Sequence, residues 1–132
     1  TLDCVVTKVE WGHGKRTGVL SDYTFAVWDG AELKDIGKAY SGLTDVEIAA
    51  MTKRFEALTL ERRGGLHVVK PEVVIEVAFD GLQKSTRHAS GFSMRFPRIH
   101  RIRDDKRPED ADTLQTARAL FEAHVQSGHR EG

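Results

Sequence analysis

The chain has 132 residues, with 20 Lys and Arg against 20 Asp and Glu, a formal net charge of zero and 39% hydrophobic residues. This size and composition indicate one folded domain and exclude wholesale disorder. No apolar run approaches the ~18 residues of a membrane span, and the single cysteine, Cys4, excludes an internal disulfide, which favours the reducing cytoplasm.

The first forty residues predict three consecutive strands joined by turns, which is a meander. The predicted strands span 1–11, 18–28 and 32–40. The turns between them are marked by glycines at 12–16 and by Asp29-Gly30, a pair typical of tight hairpins. In the first strand, alternate residues are expected to share one face: Val5, Thr7, Val9 and Trp11.

The spacing of apolar residues then changes and predicts a helix over 45–58. Thr44 and Glu47 have the three-residue spacing of a capping box at its start. The apolar stripe of this helix contains Ile48, Met51, Phe55 and Leu58. Residues 61–66 are charged and glycine-rich, which predicts a loop.

The second half of the chain predicts two further strands and a C-terminal helix. One strand follows Pro71, and the other covers 94–103 with Pro97 at an edge or a bulge. Between them, residues 85–91 predict a polar loop. The C-terminal helix follows Pro108, and its apolar positions are Leu114, Ala117, Phe121 and Val125.

Three strands, a helix and two more strands predict an all-β domain, a five-stranded OB-fold barrel with a helix between strands 3 and 4 and a C-terminal helix. An SH3-like barrel is the alternative, although it usually lacks so long a helix. The predicted domain covers 1–126, followed by a frayed tail at 127–132. Because Thr1 is not a methionine and a strand pattern begins at once, we expect a piece of a longer protein.

Residues 83–103 form a basic stripe that contains no acid, whereas acidic residues crowd the segment that follows it. Such a stripe binds a polyanion, or it is a solvated strand face answered by acids across the sheet. Phe96 lies among the arginines, where it would stack on a base or enter a minor groove, or belong to the core. The basic residues are Lys84, Arg87, Arg95, Arg98, Arg101 and Arg103.

Several motifs occur in an order that resembles the ATP-dependent DNA ligases, and most closely their bacterial members. Residues 95–98 read Arg-Phe-Pro-Arg and residues 101–106 read Arg-Ile-Arg-Asp-Asp-Lys, which is similar to motif VI of that family. The other matching elements, which extend the resemblance over about 3–114, are Gly-His-Gly-Lys-Arg at 12–16, Gly37-Lys38, Gly-Leu-Thr-Asp at 42–45, Glu76-Val77 and Ser85.

The resemblance implies the C-terminal OB domain of an enzyme that seals nicks through lysyl-AMP and DNA-adenylate intermediates, with ATP and Mg²⁺ bound mainly by another domain. It implies that Arg103 and Lys106 hold the β- and γ-phosphates of ATP and that Asp105 positions them. The residues that it places against DNA are Lys15, Arg16, Lys84, Arg87, Arg95, Phe96 and Arg98.

The sequence departs from the family at the nucleophile. The family's Lys-x-Asp-Gly motif is missing, since neither Asp29-Gly30 nor Asp80-Gly81 has a lysine two residues before the aspartate. An upstream nucleotidyltransferase domain is therefore expected outside this chain, and the chain alone is expected to be inactive. The resemblance further implies a monomer that acts on nicked duplex DNA in repair, replication and recombination, is associated with the nucleoid in the cytoplasm, and contacts no membrane.

Two alternatives remain open from the sequence: a stand-alone OB module for single-stranded nucleic acid, and the OB domain of an RNA ligase or capping nucleotidyltransferase. Trp11 and Trp28 are expected to pack in the core rather than to stack on bases. No metal site is expected, because the histidines lack ligand spacing. They are His13, His67, His88, His100, His124 and His129.

Overall fold

The computed structural model describes residues 1–131, with side chains described as far as Val125, so the predicted tail at 127–132 lies outside the described side chains. This part of the chain contains nine strands and two α-helices. The strands are β1 (Leu2–Trp11), β2 (Leu20–Asp29), β3 (Glu32–Ala39), β4 (Thr59–Arg63), β5 (Leu66–Val69), β6 (Val74–Ala78), β7 (Gly81–Lys84), β8 (Phe92–Arg95) and β9 (Arg98–Ile102); the helices are α1 (Asp45–Leu58) and α2 (Leu114–Glu131).

Seven strands form one antiparallel sheet. Its main path runs β3-β2-β1-β5-β4, while β6 pairs with the first half of β1 and with β9. A hydrogen bond of 2.8 Å from Ile99 N to Ser41 O returns β9 to the chain that leaves β3. The predicted OB-type fold is confirmed, with α1 after the third strand, but four more strands are present than the five predicted.

A β-bulge in β1 changes which residues face the core. Val6 pairs with Phe25 but Lys8 pairs with Thr24, so Thr7 is an extra residue in its strand. Val6 and Val9 therefore point into the main core, whereas Val5 belongs to a second cluster on the other face of the sheet. The prediction that Val5 and Val9 share a face is wrong, because strict alternation fails across a bulge.

Helix α1 begins and ends where the sequence predicts. The Thr44 hydroxyl accepts a hydrogen bond from Glu47 N at 3.2 Å, and the Glu47 carboxylate accepts one from Thr44 N at 3.0 Å. This reciprocal capping box satisfies two N–H groups at the helix start. Phe55 on the buried face packs edge-on against Tyr23 of β2, with ring centroids 5.0 Å apart. The apolar face of the helix therefore packs against the sheet in the main core, as the apolar stripe predicts.

Of the two predicted loops, the one at 61–66 is wrong and the one at 85–91 is confirmed. The segment predicted as a loop at 61–66 lies in the β4–β5 hairpin, which turns at Gly64 with a φ of 60°. The polar residues 85–91 connect β7 to β8, which form a separate two-stranded sheet. Most of β4 is exposed, so its charged sequence hides the alternation that would have predicted a strand.

The basic stripe is divided between two sheets, so the continuous strand predicted over 94–103 is wrong. Arg95 ends β8 and Arg98 begins β9, with Phe96 and Pro97 between them. Phe96 has a φ of 51°, a left-handed conformation in which a strand cannot continue. Pro97 also lacks the N–H that a strand ladder requires. The break turns the two arginines onto different parts of the surface.

The segment after β9 crosses the outer face of β1 and leads into α2. Asp3 and Asp112 are joined twice, by Asp112 N to Asp3 O at 2.8 Å and by Asp3 N to Asp112 Oδ2 at 2.7 Å. The Trp28 indole donates to Pro108 O at 2.8 Å, and its ring packs on the second cluster. Trp28 is therefore a packing residue, as predicted. Neither α1 nor the described part of α2 has the length and apolar character to cross a membrane.

Candidate functional site

Two of the cations that the resemblance assigns to phosphate binding converge on one carboxylate. Lys106 Nζ lies 2.6 Å from Asp3 Oδ2, and an Nη atom of Arg103 lies 3.4 Å from Asp3 Oδ1. The side chains of Arg103 and Lys106 are 18% and 29% exposed, and that of Asp3 is 12% exposed. With Asp105, these residues form what we call the Asp3 cluster.

Asp105 orients Arg103 through a bidentate ion pair. Arg103 Nε and Nη2 each lie 3.0 Å from a carboxylate oxygen of Asp105. Hydrogen bonds from Arg103 lower the pKa of Asp105 to about 2, and the same pairing raises the pKa of Arg103. The hydrogen bond to Asp3 raises the pKa of Lys106. Arg103, Asp105 and Lys106 are therefore all charged at neutral pH, and Asp105 fixes the direction of the guanidinium.

The arrangement of the Asp3 cluster suits a phosphate. A guanidinium and an ammonium aimed at the two oxygens of one carboxylate present donors that a phosphate accepts equally well. A phosphate can bind there only if it displaces the Asp3 carboxylate or shares the two cations with it. The chemistry of such a site is charge stabilisation. Among the described residues, no group of three or more His, Cys, Asp or Glu side chains is arranged to hold a metal ion.

The middle of the basic stripe is paired with acids. Arg98 lies 2.9 Å from Asp80, and Arg101 lies 2.7 Å from Glu76 on the neighbouring strand. These ion pairs match the alternative in which the basic stripe is a solvated strand face paired with acids across the sheet. Both arginines are about half exposed, so each keeps donors on the solvent side.

Phe96 is an exposed ring, so the alternative in which it belongs to the core is wrong. It is 70% exposed and has a left-handed backbone conformation that gains no burial in return. Phe96, Arg95 and Arg87 line a groove of ≈ 370 Å³ beside the β7–β8 hairpin. The side chains of Arg87 and Arg95 form no ion pair with any described residue. These three predicted DNA contacts are therefore adjacent and accessible.

The remaining predicted DNA contacts are dispersed. Lys15 is exposed in the turn after β1, whereas the neighbouring Arg16 lies 3.1 Å from Asp45. Lys84 Nζ lies 6.0 Å from the centre of the Phe121 ring of α2. The structure thus groups Arg87, Arg95 and Phe96, and places Lys15 and Lys84 at separate points of the surface.

Two residues at these sites are not predicted from the sequence. Asp3 is the anion that holds Arg103 and Lys106, and its only local signal is an isolated acid within an apolar strand. Tyr40 is 71% exposed and lines a second groove of ≈ 370 Å³. We call it the aromatic groove, and its lining residues are Lys38, Tyr40, Ser41, Phe96, Pro97 and Arg98. No periodicity distinguishes Tyr40 from the end of a buried strand.

Comparison with known proteins gives one consistent family. The family profile described as "ATP dependent DNA ligase C terminal region" matches residues 16–106. The chain is 62% identical over 120 residues to a probable DNA ligase of Koribacter versatilis, covering 91% of this chain and 21% of that protein. It is 47% identical over 128 residues to a DNA ligase of Methanopyrus kandleri, covering 96% and 23%. The chain thus spans less than a quarter of these relatives.

Solved structures share the fold. The ligase domain of Mycobacterium tuberculosis LigD superposes with a TM-score of 0.69 at 19% identity, covering 83% of this chain and 37% of that one. A mycobacterial DNA ligase D complexed with ATP and MES gives a TM-score of 0.64 at 18% identity, covering 85% and 37%. At these identities the likeness extends to the fold alone.

Proposed function

This chain belongs to the family of ATP-dependent DNA ligase C-terminal regions, and on that premise we propose that it is the OB domain of an enzyme that seals nicks in duplex DNA through lysyl-AMP and DNA-adenylate intermediates. The observation that supports its part in the reaction is the convergence of Arg103 and Lys106 on the Asp3 carboxylate. Two cations held in this way are prepared to exchange an internal anion for a polyphosphate.

In this proposal, Arg103 and Lys106 contact the β- and γ-phosphates of ATP while the nucleophilic lysine attacks the α-phosphate. Their charge stabilises the departing pyrophosphate, which is electrostatic catalysis. Asp105 keeps the guanidinium aimed at the phosphates through its bidentate ion pair. ATP therefore replaces Asp3 as the partner of both cations during this step.

The nucleophile comes from another domain in this proposal, since no lysine precedes either Asp-Gly pair at the required distance. We assign Mg²⁺ to that domain as well, because the described residues offer no cluster of ligands for it. The two domains close around ATP for the first step and separate for the later ones. The chain by itself is then expected to form no covalent adenylate.

The surface around Phe96 serves DNA in this proposal. Arg87 and Arg95 contact backbone phosphates, and the half-exposed side chain of Arg98 keeps donors on its solvent side beside Asp80. Lys15, Arg16 and Lys84 contribute at longer range as the duplex passes. We place the whole enzyme, as a monomer, in the cytoplasm at the nucleoid, where nicked DNA occurs.

The stand-alone single-strand module is less well supported. Such a module stacks bases on aromatic side chains along the strands of its barrel. Here Tyr23 and Phe25 of β2 are fully buried, and Trp28 is covered by the segment around Pro108. The rings of the second strand therefore stabilise the core and leave no stacking platform on it.

The test is made in the ligase polypeptide that carries this domain. Lys106→Ala is expected to slow adenylylation of the enzyme by roughly a hundredfold, measured with radiolabelled ATP, and to slow sealing of a pre-adenylylated nick much less. Lys53→Ala removes an exposed lysine on α1 and is the matched control. Equal losses in both steps, or no loss in adenylylation, would contradict the phosphate role of Lys106.

A further inference from the structure

We propose that Tyr40 is a second aromatic contact to duplex DNA. In this proposal the rings of Tyr40 and Phe96 both pack against the sugar–phosphate edge of the minor groove. The inference rests on the proposed DNA-binding function and adds to it a residue outside the matched motifs. Three observations carry it: the exposure of the two rings, their shared groove and the backbone contact that holds them together.

The two rings are exposed without any structural benefit to the fold. Tyr40 is 71% exposed and Phe96 is 70% exposed, whereas the other aromatic side chains of the described region are buried or half-buried. Exposed aromatic rings cost solvation free energy, and Phe96 in addition has a disfavoured positive φ. Both features are expected where rings are displayed for a ligand.

Tyr40 and Phe96 line one groove. The aromatic groove is bordered by two half-exposed cations, each paired with one carboxylate: Lys38 with Glu10 and Arg98 with Asp80. Each keeps donors on its solvent side. Tyr40 also lines an adjoining groove of ≈ 290 Å³ that contains Arg16. Tyr40 therefore lies between the aromatic groove and the groove beside the turn after β1.

A backbone hydrogen bond joins the two segments that carry the rings. Ile99 N donates to Ser41 O at 2.8 Å, so the residue after Tyr40 is tied to the strand that follows Phe96. Gly42 lies so close to β9 that an added Cβ would stand 1.9 Å from Ile99 O. The two segments that carry the rings are thus joined through their backbones, which lowers the entropy lost on binding.

This combination matches the minor-groove edge of a duplex. Ring faces pack against deoxyribose, and the flanking ammonium and guanidinium groups neutralise the phosphates on either side. A single strand would need a longer series of ring platforms, and the rings of β2 are buried. We therefore infer that the aromatic groove binds duplex DNA.

The test measures binding of fluorescein-labelled nicked duplex to the 132-residue chain by anisotropy over a range of salt concentrations. Tyr40→Ala is expected to weaken binding by roughly fivefold, and Tyr40→Phe by less because the ring remains. The salt dependence should be unchanged in both variants, since a neutral ring releases no counterions, whereas Arg98→Ala should reduce the slope. Leu60→Ala, which truncates another exposed apolar side chain, is the control and should bind as wild type.

The outcomes separate this inference from the function on which it rests. If Tyr40→Ala binds as wild type while Phe96→Ala and Arg98→Ala lose affinity, the role of Tyr40 is overturned and DNA binding stands. If Tyr40→Ala loses affinity for poly-dT but not for the duplex, the occupant is a single strand and the inference is overturned. If the wild-type chain binds no duplex even at low salt, the proposed DNA surface fails and Tyr40 fails with it. Thermal melts of each variant verify folding.

Discussion

The Lys106 ammonium lies 2.6 Å from the Asp3 carboxylate, across 103 positions of sequence. This contact ties the segment after β9 to the first strand and places a carboxylate where the proposed function needs a phosphate. In the proposed function, this carboxylate must give way to the phosphates of ATP before Lys106 can act on them.

Asp3→Asn is expected to change stability and ligand affinity in opposite directions. The free energy of unfolding should fall by about 1–3 kcal/mol because Lys106 and Arg103 lose a partly buried partner. Binding of pyrophosphate should tighten, because no carboxylate then competes for the two cations. Denaturant unfolding measures the first effect and calorimetric titration the second. Asp104→Asn removes an exposed partner of Arg54 and serves as the control; weaker pyrophosphate binding in Asp3→Asn would contradict the exchange.

The Asp105 carboxyl should titrate at about pH 2, well below its ordinary 3.8, because Arg103 donates to it twice. Since the folded-state pKa is the lower one, the stabilising ion pair is fully present above 3.8 and is lost as pH falls through about 2. Carboxyl-carbon NMR should show the titration moving up toward its ordinary value in Arg103→Gln. The exposed Arg107→Gln variant should leave it in place.

His67 should make the domain less stable in mild acid. It is buried against Trp11, and desolvation lowers its pKa below the ordinary 6.5. The neutral form is favoured in the fold, so its stabilising effect is present above pH 6.5 and is lost as pH falls through the lower folded-state pKa. The free energy of unfolding should therefore decline below pH 6.5 in wild type and decline less in His67→Gln. An identical decline in both proteins would exclude His67 as the cause.

The same histidine has a defined tautomer. The Thr59 hydroxyl donates to Phe55 O at 2.8 Å, and its oxygen lies 3.1 Å from His67 Nδ1. Because its one proton is used, we assign the donor of the second bond to Nδ1. Nitrogen-15 NMR should therefore find the proton on Nδ1 at neutral pH. Thr59→Val removes the acceptor and should shift the ring toward the other tautomer, while the exposed His13 should be unaffected.

Gly42→Ala should be strongly destabilising, by about 2 kcal/mol or more. Its φ is 115°, and the new methyl group would stand 1.9 Å from Ile99 O, which is backbone and cannot rotate away. The clash should separate Ser41 from β9 and reduce DNA affinity together with stability. Gly81→Ala has open space and an ordinary φ, so its thermal melting temperature should stay within a few degrees of wild type.

The sequence predicts those features that depend on neighbours along the chain. Thr44 and Glu47 specify the start of α1 because a capping box is complete within four residues. The β4–β5 hairpin is missed because β4 is solvated on both faces and so shows no alternation. The divided basic stripe is missed because the φ of Phe96 is not a property of phenylalanine.

The candidate site follows the same rule. Arg103, Asp105 and Lys106 are recognised together because they occupy one short motif, and the structure does place them in one cluster. Asp3 and Tyr40 are not recognised, because each depends on a strand that returns from far along the chain. Contacts between residues far apart in the sequence bring Asp3 and Tyr40 to these sites, and no spacing of nearby residues predicts such contacts.

The segment that carries Arg103 and Lys106 also covers the second hydrophobic cluster, because its Ala111 packs on Val5 and Val74. Proteolytic cleavage between β9 and α2 would therefore disturb more than the positions of these two cations. Cleavage is expected to expose Val5 and Val74 to solvent, and the cleaved domain is therefore expected to aggregate.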